Sequence, residues 1–502
     1  MTDSQPLDER VTNRSLRPDS PTFLSWVTSG WAPRGTSTAQ RSPAADYAAQ
    51  RRARLLDRFD RPVRLVVPAG TPKVRSNDTD YRFRPHAAFA HLTGLGAEQE
   101  PDAVLTVGPG PDDATLYLRP PAGRDTPEFF ADAATGEFWV GSRPTLDDMA
   151  TVTGLRTADL ADLRDGLAQD VGDDGVQLLV VPLADAAVTA LVDEVRGPGP
   201  DGDDRLRSDD RLHSDDQLRE AVSELRLVKD AYEVAELRTA VAATVAGFEQ
   251  VVRALPRALA HPRGERVVEG TFLGHARTEG NAVGYETIAA AGPHATTLHW
   301  TDDDGPVRPG DLLLLDAGVE ADSLYTADLT RTLPVDGRYT PVQRRVYQAV
   351  LDAADAAFAV VRPGVRFREV HDAAMQVLAH RLADWGLLPV PPQIALDPDQ
   401  QQHRRWMVHG TSHHLGLDVH DCAQARRTLY LDGVLEPGMV LTVEPGLYFQ
   451  PDDLLVPPEY RGIGVRIEDD VLVTADGCEN LSAALPRTPD AVETWMAALL
   501  PG

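Results

Sequence analysis

Short apolar runs alternate with amphipathic segments along the first part of the chain. One segment, DYAAQRRARLLDRF (46–59), has the apolar spacing of a helix. Runs of strand length follow it as RLVVPA (64–69), AVLTVG (103–108), ATLYLRP (114–120) and VQLLVVP (176–182). Strands that alternate with helices predict an α/β domain. We therefore expect an N-terminal α/β domain over residues 46–195. Residues 1–45, rich in Pro, Ser, Thr, Arg and Gly, are predicted to form an extended arm.

A charged repeat interrupts this pattern between residues 196 and 217. After a Pro/Gly-led start, a six-residue unit recurs as DDRLRS, DDRLHS and DDQL. A short repeat with alternating charge offers no apolar face to bury, so it is typical of a solvated loop or linker. We expect an acidic repeat linker over 196–217 and a second domain over 218–502.

The second domain mixes helical periodicity with apolar strands. Helices are predicted at 225–248, 341–361 and 368–386. Strand patterns at 287–292, 439–449 and 462–474 suit mostly antiparallel pairing. The second domain is therefore predicted to be α+β.

The stretch 312–332, LLLLDAGVEADSLYTADLTRT, organises this domain. Two strand-length runs joined by small and polar residues predict a β-hairpin. If the hairpin is symmetric about Asp322, Asp316 and Asp328 face each other, with Cβ atoms about 4.5–5.5 Å apart. Like charges at that separation repel, so we expect a shared proton or a cation between them.

Other strands of the second domain carry further polar groups. Glu444 follows VLTV, Glu468 follows GVRI, and His413 lies in HGTSHHLG. Each glutamate taken alone could be a buried acid paired with an arginine such as Arg466. Together with the two aspartates, the set offers four carboxylates and one imidazole, which suits hard or borderline divalent ions. Two such ions about 3.5–4 Å apart hydrolyse amides and phosphates.

The amino-acid composition limits the classes of binding partner that we expect for this protein. The 502-residue chain has 77 acidic and 49 basic residues, a formal net charge of −28. This charge disfavours nucleic acid and anionic membranes as partners. Two cysteines are too few for a disulfide framework, and neither a signal-peptide pattern nor an apolar run of spanning length is apparent. We expect a cytoplasmic protein.

The motifs DAGVEADSLYTADLTRT, HGTSHHLGLDVH, LTVEPGLY and GIGVRIEDD resemble the pita-bread metallopeptidases, and more narrowly the aminopeptidase P (Xaa-Pro aminopeptidase) family. RLVKDAYEVAELRTA and TDYRFRPHAAFAHLTGL fit the same family. The resemblance implies a pita-bread catalytic domain after a smaller, creatinase-like α/β domain. It also implies cleavage of the N-terminal residue from peptides with proline second, through a bridging hydroxide activated by two metal ions.

The resemblance also assigns roles to residues. Two divalent ions, usually Mn²⁺ with Co²⁺ or Zn²⁺ as alternatives, would be held by Asp316, Asp328, His413, Glu444 and Glu468. In this assignment Asp328 and Glu468 bridge the ions, and Glu444 also takes the proton of the attacking water. His299 and His420 would hold the peptide and stabilise the tetrahedral intermediate. His409 is implied as a further active-site histidine, and Arg466 as a residue that orients a bridging carboxylate.

Other functions stay open at this point. A prolidase specific for Xaa-Pro dipeptides would use the same metals. A methionine aminopeptidase shares the catalytic fold but is disfavoured by the large N-terminal domain, and a metal-free binding protein is disfavoured by the complete ligand set. A homo-oligomer, dimer or tetramer, is expected from the resemblance. The spacing between Asp316 and Asp328 is one residue longer than is common in the family, so we expect a β-bulge in the hairpin.

Overall fold

The computed structural model describes residues 18–77, 79–110, 112–124, 126–171, 175–197 and 204–500, with side chains described throughout except at 204–214. Residues 1–17 of the predicted arm and 198–203 of the predicted linker lie outside the described residues. The chain forms two compact units that divide between Val222 and Ser223.

The first unit is built around a mixed five-stranded sheet. Its strands run in the order β6-β5-β4-β1-β7, with β1 antiparallel to β4 and parallel to β7. The buried side chains of Val66, Val104 and Val180 form part of the core of this unit. The bounds of the elements are α1 Pro21–Val27, α2 Ala45–Leu56, β1 Val63–Pro68, β2 Val74–Ser76, β3 Thr79–Asp80, α3 Ala87–Thr93, β4 Val104–Val107, β5 Ala114–Leu118, α4 Glu128–Ala131, α5 Glu137–Val140, α6 Leu146–Thr153, β6 Arg156–Asp159, α7 Leu163–Ala168, β7 Gln177–Val180, α8 Ala186–Arg196 and α9 Asp204–Leu225.

Two expectations for this part of the chain are wrong. The predicted arm contains α1, whose first turn is capped by the hydroxyl of Ser20. The predicted repeat linker is helical from Asp204 onward, as α9. The repeat is rich in Asp and Ser, which have low helix propensity. Packing stabilises the helix instead, since Leu218, Val222 and Leu225 at its C-terminal end are buried.

The second unit combines small antiparallel sheets with long helices. One sheet has the order β12-β10-β9 and another the order β13-β16-β17. Thr330 forms an isolated bridge with Glu468, which brings the edge of β12 beside the start of β16. The bounds are α10 Ala231–Leu259, α11 Gly264–Glu279, β8 Ala282–Val283, β9 Ile288–Ala291, β10 Leu312–Ala317, β11 Val319–Glu320, β12 Leu329–Pro334, α12 Pro341–Val360, α13 Phe367–Asp384, α14 Pro392–Ala395, β13 Val440–Val443, β14 Gly446–Tyr448, β15 Gly464–Arg466, β16 Asp469–Val473, β17 Cys478–Asn480 and α15 Pro489–Leu499.

The predicted hairpin forms, but its symmetric register is wrong. β10 and β12 are antiparallel, and Asp316 faces Thr330 rather than Asp328. The ladder runs from Leu312 to Ala317 without a register shift, so the expected bulge is absent from it. The connection between the two strands contains β11, which pairs with β8. A Cβ atom on Gly318 would lie 1.7 Å from the carbonyl oxygen of Ala327, so only glycine allows this close return of the chain.

The helix predicted to start at Leu225 begins instead at Ala231. The carboxylate of Asp230 accepts the backbone N–H of Glu233, and the Glu233 carboxylate accepts the backbone N–H of Asp230. This reciprocal capping box starts α10. Among the described residues, no helix combines the length and apolarity needed to cross a membrane.

Candidate metal centre

The predicted carboxylates lie at the ends of neighbouring strands. Asp316 is in β10, Asp328 directly precedes β12, and Glu444 directly follows β13. Glu468 lies between β15 and β16, and its N–H donates to the Thr330 carbonyl oxygen at 3.0 Å. Strand ends from two sheets therefore place acidic side chains in one region of the second unit.

His413 lies among these carboxylates. Its Nε2 is 3.2 Å from Asp328 Oδ2, 3.9 Å from Glu444 Oε1 and 4.0 Å from Glu468 Oε1. Ligand atoms of Asp328, His413 and Glu468 all lie within 4.8 Å of one another. This separation suits ligands around a common cation.

Tyr285 connects Asp316 to this group. Its hydroxyl oxygen lies 2.7 Å from Asp316 Oδ1 and 2.5 Å from Asp328 Oδ1. A hydroxyl carries one proton, so both contacts can be hydrogen bonds only if one carboxyl group is itself protonated. Tyr285 was not predicted from the sequence, since it precedes a strand and belongs to no motif that indicates a metal site.

The electrostatics of the cluster show an excess of negative charge. Burial, with repulsion from Asp328, raises the pKa of Asp316 although Arg466 opposes the shift. Burial raises the pKa of Glu444 to about 7, and burial with the charges of Asp328 and Glu444 raises the pKa of Glu468 well above its usual range. Burial alone would lower the pKa of His413, but the hydrogen bond to Asp328 and its charge raise that pKa to about 9.

The raised pKa values of these carboxyl groups indicate that the cluster needs positive charge to balance it. Without a cation, protons must balance part of the charge. An oxygen-rich set with one imidazole matches the donors that hard and borderline divalent ions prefer. The residues therefore fit the metal ions that the sequence implies.

Arg466 holds one edge of the cluster. Its guanidinium donates to the Asp316 carboxylate, to Thr330 Oγ1 at 3.2 Å and to the Tyr448 hydroxyl at 3.0 Å. Thr330 in turn donates to Glu468 Oε2 at 2.7 Å. The carboxylate that Arg466 contacts directly is thus Asp316, and it reaches the predicted bridging residue Glu468 only through a hydroxyl.

His409 lies on the other side of Glu444. Its Nδ1 is 3.4 Å from Glu444 Oε2, and its Nε2 is 2.8 Å from the Tyr448 hydroxyl. Burial and the charge of Arg466 lower the pKa of His409 to about 3. His409 therefore faces Glu444 as a neutral imidazole at neutral pH.

His420 stands beside His413, with ring centroids 4.6 Å apart and the ring planes perpendicular. Burial and the charge of His413 lower the pKa of His420. The next residue, Asp421, is buried and accepts from Arg226 Nε at 2.9 Å and from Lys229 Nζ at 3.1 Å. This buried ion cluster anchors the backbone that carries His420.

His299 lies on an exposed loop, and its charge contributes to lowering the pKa of His420. The buried carboxylate of Glu265 holds this loop by accepting from the backbone N–H groups of Ala291 and Gly305, both at 2.7 Å. It also accepts from His294 Nδ1 at 2.7 Å and Trp300 Nε1 at 3.1 Å. Glu265 lies far from the loop in the sequence, and no local pattern indicates this contact.

Comparisons with known proteins show which family the chain belongs to. Residues 48–178 match the family model described as "Aminopeptidase P, N-terminal domain", and residues 235–475 match "Metallopeptidase family M24". The chain is 52% identical over 474 residues to Xaa-Pro aminopeptidase 1 of Streptomyces coelicolor, an alignment that covers 94% of this chain and 91% of that protein. It is 32% identical over 467 residues to Xaa-Pro aminopeptidase of Escherichia coli, covering 89% of this chain and 97% of that protein.

A solved structure extends the comparison to the fold. Aminopeptidase PepP of Pseudomonas aeruginosa superposes with a TM-score of 0.77 at 30% identity, covering 91% of this chain and 99% of that one. The predicted fold class, a pita-bread domain after a creatinase-like α/β domain, is confirmed. The chain belongs to metallopeptidase family M24 and, within it, to the aminopeptidase P group.

Proposed function

We propose that this chain is a metal-dependent exopeptidase that removes the N-terminal residue from peptides whose second residue is proline. The observation that carries the proposal is the convergence of four carboxylates and one imidazole from separate strands and loops of the second unit. The relatives named above are Xaa-Pro aminopeptidases, which favours this activity over the prolidase alternative.

Two divalent ions would be held by Asp316, Asp328, His413, Glu444 and Glu468, with Asp328 and Glu468 shared between them. Mn²⁺ is our preferred ion, with Co²⁺ and Zn²⁺ as alternatives, because carboxylate oxygens dominate the set. When bound, the ions supply Lewis acidity, which lowers the pKa of a water molecule and polarises the scissile carbonyl.

The side chains at and around the five metal ligands would transfer protons and donate hydrogen bonds to the substrate. Glu444 would accept a proton from the attacking water, because its carboxylate lies within the ligand set where that water would be bound. His420 and His299 would donate hydrogen bonds to the peptide and to the oxyanion that forms from its carbonyl oxygen. The free α-amine of the substrate, a cation, would lie near the carboxylate cluster, which explains removal of a single N-terminal residue.

A peptide-length series tests this proposal. Metal-free protein would be supplied with Mn²⁺, Co²⁺ or Zn²⁺ and assayed on Xaa-Pro peptides of two, three and more residues. We expect release of the N-terminal residue from tripeptides and longer peptides, with matched peptides that carry alanine in place of proline as controls. Clear preference for the dipeptide would favour the prolidase and contradict the proposal.

A further inference from the structure

Arg404 clamps the segment that carries His409. Its Nε donates to the Met407 carbonyl oxygen at 2.7 Å, and one terminal nitrogen donates to the carbonyl oxygens of Val408 and His409 at 2.6 and 2.9 Å. A guanidinium has five rigidly placed donors, so bonds to three consecutive carbonyls leave this backbone little freedom. The backbone of His409 is thereby fixed relative to Arg404.

His371, in α13, continues the network. The other terminal nitrogen of Arg404 lies 3.0 Å from His371 Nε2. Arginine can only donate, so Nε2 accepts and the neutral ring carries its proton on Nδ1. His371 Nδ1 lies 2.9 Å from Thr411 Oγ1, which therefore accepts. Burial and the charge of Arg404 lower the pKa of His371 to about 4, in keeping with a neutral ring.

Thr411 links this network to the metal centre. It is fully buried, and its carbonyl oxygen accepts the backbone N–H of Glu444 at 2.8 Å. Two residues further on, the His413 carbonyl oxygen accepts the N–H of Thr442 at 2.9 Å, and the His413 N–H donates to Thr442 Oγ1 at 3.1 Å. The segment 411–413 thus pairs with the backbone of residues 442–444. These backbone hydrogen bonds hold His413 and Glu444 in a fixed position relative to each other.

We propose that His371 and Arg404 are positioning residues for the reaction, which fix the geometry between His409 and Glu444 through Thr411. The inference deepens the proposed function and rests on it. The geometry at stake is the placement of the His409 ring, whose Nδ1 lies 2.6 Å from the Gly410 carbonyl oxygen and 3.4 Å from Glu444 Oε2. A misplacement of about 1 Å in a catalytic group can lower the rate by on the order of a hundredfold. Loss of the hydrogen bonds made by His371 or Arg404 is therefore expected to lower kcat measurably.

The bonds of His371 define the variants that test this role. Position 371 must accept from Arg404 at one edge and donate to Thr411 at the other. Glutamine offers both functions in one side chain, whereas leucine fills similar space and offers neither. His380 lies on the same helix but is exposed, and its Nδ1 lies 2.6 Å from the Gln376 carbonyl oxygen of that helix, so His380→Leu is a matched control.

The experiment compares wild type, His371→Leu, His371→Gln and His380→Leu on an Xaa-Pro-Xaa tripeptide at saturating Mn²⁺. We expect His371→Leu to lower kcat by roughly tenfold or more while KM changes less than about threefold. His371→Gln is expected to restore most of kcat, and His380→Leu to match wild type. Thermal unfolding of the metal-free proteins reports whether each variant is folded.

If His371→Leu does not fold, Thr411→Val keeps the size of the side chain, removes the acceptor, and is expected to lower kcat in the same way. Wild-type kcat in His371→Leu or Thr411→Val would overturn the inference. So would a His371→Gln variant as impaired as His371→Leu, because the shape of the side chain rather than its hydrogen bonds would then matter. Failure of the wild type to cleave any Xaa-Pro peptide would instead contradict the proposed function.

Discussion

Glu444 is the residue whose chemistry is most sensitive to its surroundings. It follows β13, lies 3.9 Å from His413 Nε2 and 3.4 Å from His409 Nδ1, and has its pKa raised to about 7 by burial. That raised pKa belongs to the centre without metal ions, where a proton on Glu444 would reduce the repulsion among the carboxylates. With the ions bound, Glu444 would be a carboxylate placed both to hold an ion and to accept a proton from the attacking water.

Glu444→Gln tests this assignment. The amide keeps the size of the side chain but cannot take a proton, so we expect kcat to fall by about 10²–10⁴-fold while the protein stays folded. Glu459, which is exposed, provides the control Glu459→Gln, expected to be fully active. Steady-state kinetics on one tripeptide suffice, and near-full activity of Glu444→Gln would remove Glu444 from the mechanism.

His371 gives a second prediction, for the dependence of stability on pH. Its pKa of about 4 in the folded state lies below the unfolded value of about 6.5, so the unfolded chain binds more protons between these values. Its contribution to the free energy of unfolding is therefore lost as the pH falls from about 6.5 towards 4. His371→Gln removes this loss.

Urea unfolding midpoints of metal-free protein at pH 7 and pH 5 measure the effect. We expect the drop in stability between these pH values to be smaller in His371→Gln than in wild type, by on the order of 1 kcal/mol. His380→Gln, on the exposed face of the same helix, is expected to show the wild-type drop. Equal drops in all three proteins would mean that His371 titrates normally in the folded state.

Among the elements, α9 carries a buried carboxylate, Asp215, that binds other parts of the first unit. Asp215 accepts the backbone N–H of Val180 at 2.8 Å and pairs with Arg196 at 2.6 Å, and both charged side chains are about nine-tenths buried. Its neighbour Asp216 has an exposed side chain and pairs with Arg219, three residues along the helix. Two adjacent aspartates of the repeat thus have very different surroundings.

Replacing each of them with alanine tests how α9 is held. Asp215→Ala leaves the Arg196 guanidinium buried without its main partner, so we expect a loss of about 2–3 kcal/mol in the unfolding free energy of the first unit. Asp216→Ala is expected to change it by less than about 0.5 kcal/mol. The shift in the urea unfolding midpoint measures both variants, and equal effects would show that α9 is held by other contacts.

The elements also show which features can be predicted from the sequence. Apolar runs predicted β1, β4, β5 and β10 closely, because burial requires them in any fold. The register between β10 and β12 was missed, because it depends on how the connection 318–328 pairs with β8. The start of α10 was missed although the D-x-x-E signal of Asp230 and Glu233 was present in the sequence.

Candidate site residues also differ in how far the sequence can predict them. Residues within recurrent motifs, such as Asp316 and Glu468, could be proposed because the motif carries their spacing. Tyr285 contacts Asp316 directly, whereas Glu265 and His371 act through the segments that carry His299 and His413. A single sequence contains no local signal for such contacts, so only the fold reveals them.

At the scale of the whole molecule, the net charge of −28 keeps copies apart unless specific contacts overcome the repulsion. From the resemblance to aminopeptidase P, we predict a homo-oligomer, dimer or tetramer. Light scattering after size-exclusion chromatography is expected to give a small multiple of 54.5 kDa, at moderate salt where long-range repulsion is screened. A mass of 54.5 kDa at all concentrations would contradict this prediction.

The central claim is that divalent cations balance the carboxylates of the second unit. Anomalous diffraction at the manganese edge, from crystals grown with Mn²⁺, tests it most directly. We predict two peaks per chain, one beside Asp316 and one beside His413 and Glu444, with Asp328 and Glu468 in contact with both. The absence of peaks there, with the carboxylates balanced by protons and Arg466 alone, would contradict the account.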